Sequence, residues 1–410
     1  MAPAILDLGD EVARRADGMV ALRRDLHRHP ELGFAELRTA ALVAERLDRA
    51  GLEVRTGVAG TGVIGVLRGD RPGRTIAWRA DMDALPIEEA VDLPFRSATS
   101  GVMHACGHDG HTAIAVTVAE MLAAARDRLP GTAVFLFQPA EEIFGGARPM
   151  LEAGALDQPR VDEVFGLHLS SRARLGLVEV KPGVSMASAD FFEIEVTGRG
   201  GHGAMPHLAL DPIAVAAHIL IGLQNMVRQT VPAHEVAVLT VGQLSAGSAP
   251  NVIPETAVMR GSLRTLRAVD REQLLARLDD YAGGIARAHG ARARLRALGA
   301  HCPALVNHAA PAAHVHRCAG RELGEASVVA GDTILASDDM SLFLAARPGC
   351  FFRVGAALRE RSLSHHSPDF EIHEDSLMVG ARVAAAVLVS ALRAVRDEQR
   401  GGADPGLPRP

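Results

Sequence analysis

Short apolar runs bounded by glycine and proline alternate with longer stretches of helical periodicity along most of this 410-residue chain. Strands and helices repeated in that way bury their apolar sides economically in one arrangement, an α/β sheet covered by helices on both faces. Val12, Val20, Leu22 and Leu26 fall near helical spacing and predict a surface helix over residues 10–29, ended by Pro30. A second helix is expected over 35–50, stopped by Gly51. Strands are expected at 63–67 and 75–80, a helix at 111–126 and a buried strand at 132–137. A helix after Gly145–Gly146 and a strand at 161–169 follow.

The pattern changes near Ser188. Residues 191–197 alternate like a half-exposed strand, a helix follows Pro212, strands fall at 236–244 and 256–263, and a helix covers 270–289. The order β-α-β-β-α-β is that of a ferredoxin-like split unit. After about residue 300 the α/β pattern resumes and runs to an apolar helix at 376–395. The chain therefore reads as a main domain in two pieces, 1–187 and 300–398, interrupted by an inserted α+β domain at 188–299. Residues 399–410, GGADPGLPRP with its two preceding residues, read as a disordered tail.

A chain of this length can bury a large core without covalent staples. Cys106, Cys302, Cys318 and Cys350 show no framework spacing, which favours a reducing, cytoplasmic setting. A net charge of -6 without a dense Lys/Arg run argues against nucleic acid as a partner. The first residues, MAPAILDLGDEVARRAD, are acidic early and lack an apolar core of signal-peptide length. No uninterrupted apolar run reaches the ~18 residues of a membrane span.

Chemistry-bearing residues gather where strands end. MHACGHDGHT places Cys106, His108 and His111 in one glycine-flanked loop, and thiolate with imidazole suits zinc and its neighbours. FQPAEE delivers Glu141 and Glu142 at the carboxyl edge of the sheet, where open α/β sheets bind ligands. Adjacent carboxylates repel unless a cation is near, although acids also suit a solvated helix start. GLHLS puts His168 at the end of an apolar strand, and SHHSPDF puts His365 and His366 in a loop before the last helix. ADMDALP supplies Asp81 and Asp83, either turn formers or carboxylates that receive the second N–H of a metal-bound imidazole.

These motifs, with LRRDLHRHPELGF, GRGGHGAMPH and APNVIP, resemble the hippurate hydrolase, aminoacylase and auxin-conjugate hydrolase branch of the twentieth metallopeptidase family, from about Val20 to Arg396. The resemblance implies an aminopeptidase-like catalytic domain, with a central mixed sheet, and an inserted lid used for dimerisation. It implies two divalent ions, zinc, manganese, cobalt or nickel, held by Cys106, His108, Glu142, His168 and His366. Glu141 takes the catalytic base, Asp83 the carboxylate behind a ligand, and His202 the lid histidine that reaches an active site, often the partner subunit's. Asn251 and Arg264 fit the places that bind the substrate carboxylate. More distant branches have a histidine where this chain has Asp81 and a bridging aspartate where it has Cys106. The implied reaction is hydrolysis of the amide bond of an N-acyl amino acid.

Three other readings compete. A dipeptidase or carboxypeptidase of the same family would need a site for a free α-amino group. A catalytically silent metal or ligand-binding protein would have no use for Glu141. A Cys106–His108 thiol nucleophile would leave Glu141, Glu142, His168 and His366 without a task.

Overall fold

Eight strands form one large mixed sheet in the order Glu53–Val58, Gly62–Arg68, Pro130–Gln138, Arg71–Asp81, Glu163–Arg174, Gly349–Ala357, Val178–Val180, Val328–Ala330. The computed structural model describes residues 7–358 and 364–393, so the expected 399–410 tail lies outside the described residues. The four inner strands, from Pro130–Gln138 to Gly349–Ala357, run parallel. Their side chains alternate between two cores, as the two-residue period of a strand requires. Ile76, Trp78 and Ala80 enter one core with Phe135 and Phe137. Ala77, Val134 and Leu136 enter the other.

The first core is closed by the helices Leu8–Arg28, Leu37–Arg49, His108–Ala123, Ala309–Leu323 and Asp375–Arg393. The second is closed by Ala147–Glu152 and Met340–Ala346. By length and composition Asp375–Arg393 could cross a membrane, but 67% of its most apolar stretch is buried inside the protein. It is a core helix, with most of its apolar residues packed inside the protein and Arg382 at its partly exposed side.

A second, four-stranded sheet is antiparallel, in the order Ala237–Ala246, Thr256–Thr265, Ala189–Thr197, Arg292–Cys302. The helices Pro212–Thr230 and Ala268–Ala288 cover one face and share a separate core with it. Numbered within this unit, the strand order is 2-3-1-4, which is the ferredoxin-like order foreseen from the pattern.

Three differences from the sequence reading have physical causes. Glu53–Val58 escaped notice because it is an edge strand with one buried residue in six. The helix expected to open at residue 111 opens at His108, because its N-cap Gly107 adopts φ 96° and turns the chain early. His168 does not end its strand. The flanking strand Arg71–Asp81 stops pairing at Arg79–Gly166, whereas Gly349–Ala357 continues the ladder on the other side as far as Arg174.

Candidate metal centre

Three parallel strands bring the site together, two of them at their carboxyl ends and the third just past the point where its neighbour Arg71–Asp81 stops pairing. Arg71–Asp81 leads into Asp83, Pro130–Gln138 leads into a tight turn holding Glu141 and Glu142, and Glu163–Arg174 carries His168. The Gly107 turn adds Cys106 and His108, and the loop before the last helix adds His366. Donor atoms of Cys106, His108 and His168 lie within 4.8 Å of one another, as do those of Cys106, Glu142 and His366, and those of His108, Glu141 and Glu142. The five residues expected as ligands, together with Glu141, thus form one cluster in which Cys106 belongs to two of the groups.

Hydrogen bonds leave the expected donor atoms free. His108 Nδ1 lies 2.9 Å from the Asp83 carbonyl and 3.2 Å from Asp83 Oδ1, so it carries the proton and Nε2 keeps its lone pair. The other Asp83 oxygen accepts the Glu142 N–H at 3.0 Å. His168 Nδ1 donates to the Leu169 carbonyl at 2.8 Å, which leaves its Nε2 3.4 Å from Cys106 Sγ. His366 is held at φ 62° by an N–H bond to the Ala105 carbonyl, with Nε2 3.3 Å from Glu142 Oε2. Its neighbour His365 places Nδ1 3.8 Å from the sulfur, and its Nε2 takes the Ser171 N–H at 3.4 Å.

His108 Nε2 and Glu142 Oε1 are both buried without a hydrogen-bond partner, and they lie 3.9 Å apart. Two polar atoms left without partners in a dry site each cost roughly 1–3 kcal/mol, and a cation between them relieves both. The thiol adds to this. Burial, with Glu142, Glu141 and Asp81 nearby, pushes Cys106 well above the usual thiol range, so its thiolate requires added positive charge. A free thiol nucleophile does not fit this setting. Without a cation, Asp81 and Asp83 outweigh the opposing effect of burial and push the pKa of His108 up to about 10, so a proton takes the place at Nε2 that a metal ion would fill. The donor set therefore fits divalent transition-metal ions.

His111 is not a donor. Its Nε2 accepts the Leu169 N–H at 2.9 Å and its Nδ1 donates to Asp81 Oδ1 at 2.6 Å. The ring braces the strand beneath His168, 4.6 Å away between centroids.

Behind Glu141 lies a charged group that the sequence reading missed. Arg79, fully buried, bonds Gln138 Oε1 at 2.8 Å, Asp81 Oδ2 at 2.5 Å, and Asp338 and Asp339 at 3.1 Å each. Asp339 also accepts from Gln138 Nε2 at 2.6 Å and from the Ala147 N–H at 3.1 Å. Burial, Asp338, Glu142 and Asp339 raise Glu141 well above the usual carboxylate range, with Arg79 opposing. The adjacent acids before an apolar helix were the available signal, but they read equally well as a helix start.

The small sheet contributes less than expected to this cluster. His202 and Asn251 share a two-stranded ribbon in which His202 pairs with Val252 and the Gly203 N–H donates to the Asn251 carbonyl at 2.8 Å. Both side chains are exposed, and among the described contacts neither meets the donor cluster. Arg264 does reach the large sheet's side, donating to the Leu335 carbonyl at 2.8 Å and to Ser337 Oγ at 3.1 Å, next to Asp338.

A parallel sheet that gathers thiol, imidazoles and paired carboxylates at its carboxyl edge defines a hydrolase with a metal-type centre. Residues 77–390 match the model of peptidase family M20/M25/M40, and the chain belongs to that family. It is 38% identical over 379 residues to the N-acetylcysteine deacetylase of Bacillus subtilis, covering 92% of this chain and 98% of the relative. It is 36% identical over 387 residues to thermostable carboxypeptidase 1 of Saccharolobus solfataricus, covering 93% and 97%. Its fold superposes on a Bacillus subtilis protein described as a dinuclear metal binding peptidase from M20 family, with a TM-score of 0.80, 36% identity and coverage of 93% and 99%.

Proposed function

We propose that the protein is a binuclear amidohydrolase that cuts the amide bond of N-acyl amino acids to a carboxylic acid and a free amino acid. The observation that carries this is the facing pair of buried atoms without hydrogen-bond partners, His108 Nε2 and Glu142 Oε1, beside a further carboxylate, Glu141, whose Oε2 lies 3.9 Å from the same His108 nitrogen. Cys106, His108, Glu142, His168 and His366 would hold two divalent ions, zinc, manganese, cobalt or nickel. Such ions supply positive charge that acidifies water and polarises an amide carbonyl.

Glu141 takes the proton from the attacking water and returns it to the leaving nitrogen. Burial, with Asp338, Glu142 and Asp339 nearby, raises its proton affinity. Asp83 keeps the His108 lone pair aimed at the site. Asn251 and Arg264 bind the substrate carboxylate, and His202 supports the developing oxyanion. Because His202 and Asn251 stand away from the cluster, they act after the 188–299 unit closes as a lid, or from a partner subunit.

A homodimer is supported by the small sheet. Its edge strand Ala237–Ala246 exposes Val238 and Leu244, and the helix beside it leaves Ile221 77% exposed. A cytoplasmic location is supported by four buried, unpaired cysteines.

The test is a screen of N-acetyl, N-benzoyl and longer N-acyl amino acids with manganese, zinc, cobalt or nickel added. Hydrolysis that chelation abolishes and metal restores is expected. Full activity in metal-free protein would sink the proposal, and release of free amino acids from dipeptides alone would favour the carboxypeptidase or dipeptidase alternative. Cys106 should resist alkylation in the loaded protein and react after chelation.

A further inference from the structure

The turn that carries Glu141 and Glu142 is a small loop with a narrow neck. A Cβ added to Gly146 would fall 1.7 Å from the Pro139 carbonyl oxygen, so the chain leaving the loop runs against the chain entering it, and only glycine fits there. Inside the loop Ala140 and Phe144 hold φ 53° and 52°, left-handed conformations that residues with side chains seldom adopt. Such conformations persist where the surroundings impose them.

Three buried carboxylates from outside the loop impose this one. Glu36 Oε1 takes the Ala140 N–H at 2.8 Å, and Asp83 Oδ2 takes the Glu142 N–H at 3.0 Å. Asp339 grips the neck itself. Its Oδ1 accepts from the Gln138 side-chain amide at 2.6 Å and its Oδ2 from the Ala147 N–H at 3.1 Å, one at each end of the loop. Arg79 backs the grip, bonding Gln138 Oε1 at 2.8 Å and Asp339 Oδ1 at 3.1 Å. On its outer side the loop meets the small sheet, where the Phe144 ring lies nearly parallel to that of Phe191 with centroids 6.2 Å apart. That sheet has its own core, so this contact does not tie the loop to the large one.

An ordinary structural role for Asp339 does not match its bonds. It stands at the N-cap of the helix Met340–Ala346, where an aspartate usually accepts from its own helix. Its side chain makes no such bond, and the Met340 N–H donates to Asp338 Oδ1 at 2.8 Å instead. The Asp339 carboxylate is committed to the loop, not to the helix it opens. We propose that Asp339 is a positioning residue for the hydrolysis. By clasping both ends of the loop to the Arg79 brace, it holds Glu141 where a proton can pass from water to the leaving nitrogen. Glu142 has its own support in Asp83, so the clasp bears on the base more than on the neighbouring ligand. This inference rests on the amidohydrolase reading of Glu141.

Asp339→Ala removes the clasp and leaves Arg79 paired with Asp81 and Asp338. In metal-loaded protein, at a temperature where circular dichroism shows the variant folded, kcat for an N-acetyl amino acid should fall about tenfold or more. KM, and the metal affinity read by chelator competition, should stay near the wild-type values. Asp339→Asn keeps one carbonyl oxygen for the Ala147 N–H and should recover part of the loss. It carries the same test if the alanine variant does not fold. Amide hydrogen exchange over residues 139–147 should quicken in Asp339→Ala while the strand Pro130–Gln138 stays protected. A lower melting temperature with kcat of the folded protein unchanged, or loop exchange unchanged, would overturn the inference and leave the proposed function standing. If the wild type hydrolyses no N-acyl amino acid, the proposed function falls and loop exchange alone decides the clasp. Quickened exchange then supports it, and unchanged exchange overturns it.

Discussion

His108 and Asp109 are consecutive residues at the start of one helix, yet they face two buried charge clusters of opposite design. Asp109 accepts from Arg23 Nε at 2.7 Å, from His27 Nδ1 at 2.8 Å and from the Gly110 N–H at 2.9 Å. The other nitrogen of His27 lies 3.2 Å from Glu89 Oε1. Each carboxylate there has a cation from the protein's own chain. Around His108 stand Asp81, Asp83, Glu141, Glu142, Asp338 and Asp339, with Arg79 as the guanidinium among them, and two buried polar atoms find no partner. Buried charge by itself is therefore no sign of function. A closed cluster holds the fold, and an open one leaves room for ions that arrive from outside.

The sharpest way to break this contrast is inside the open cluster. Glu141→Gln keeps size and hydrogen bonding but cannot take a proton. It should lose roughly 10²–10⁴-fold in kcat with metal content retained, as read by elemental analysis and steady-state rates. Glu142→Gln should lose metal first, and excess metal should restore part of its rate. Reversed signatures would mean that the two neighbours exchange roles.

The closed cluster should fail in stability rather than in chemistry. Arg23→Leu strands Asp109 without its guanidinium, and breaking a buried pair costs about 3–5 kcal/mol. A large fall in melting temperature is expected, while the metal content of the folded fraction stays at the wild-type level. An unchanged melting temperature would deny that this cluster holds the fold.

Asp83 sharpens the comparison from the border of the open site. Asp83→Ala frees the His108 ring to turn, and removal of such supports typically costs about 10–100-fold in metal affinity. Titration with a competing chelator measures it, and an unchanged affinity would show that the Asp83 backbone carbonyl alone orients the ring.

The smallest expected effect is a pH dependence. Burial opposes the charge on His27, but Asp109 and Glu89 outweigh it and hold its pKa above the ordinary 6.5. A group whose proton affinity rises on folding stabilises the fold below its unfolded value and loses that contribution as pH climbs through the folded one. The wild type's margin in melting temperature over His27→Gln should be steady below about pH 6.5 and shrink above it. A margin that stays flat into alkaline pH would mean that His27 does not titrate there.

The donor cluster was legible in the sequence because each ligand comes with local context: a strand that ends, a glycine that turns, a doubled acid. The fold was legible for the same reason, since alternation between two cores writes itself into the strands. Arg79, Asp338 and Asp339 were not legible. Arg79 sits within an apolar strand and reads as a surface exception, and the burial of the acids depends on that one distant arginine. His27 and Asp109 lie in motifs that were noticed, but their pairing joins residues 82 positions apart. Arg264 falls one residue beyond the strand read at 256–263, and its contacts at Leu335 and Ser337 depend on how two units meet, which no local pattern encodes.

Phe144 and Glu141 occupy one short turn, joined by a single backbone hydrogen bond. Any change that reshapes the first also disturbs the second, so this side of the site is poorly placed to diversify. Phe191 has no such tie, because it rises from a sheet with its own core. Residues along that sheet can change while the donor cluster on the large sheet keeps its own supports.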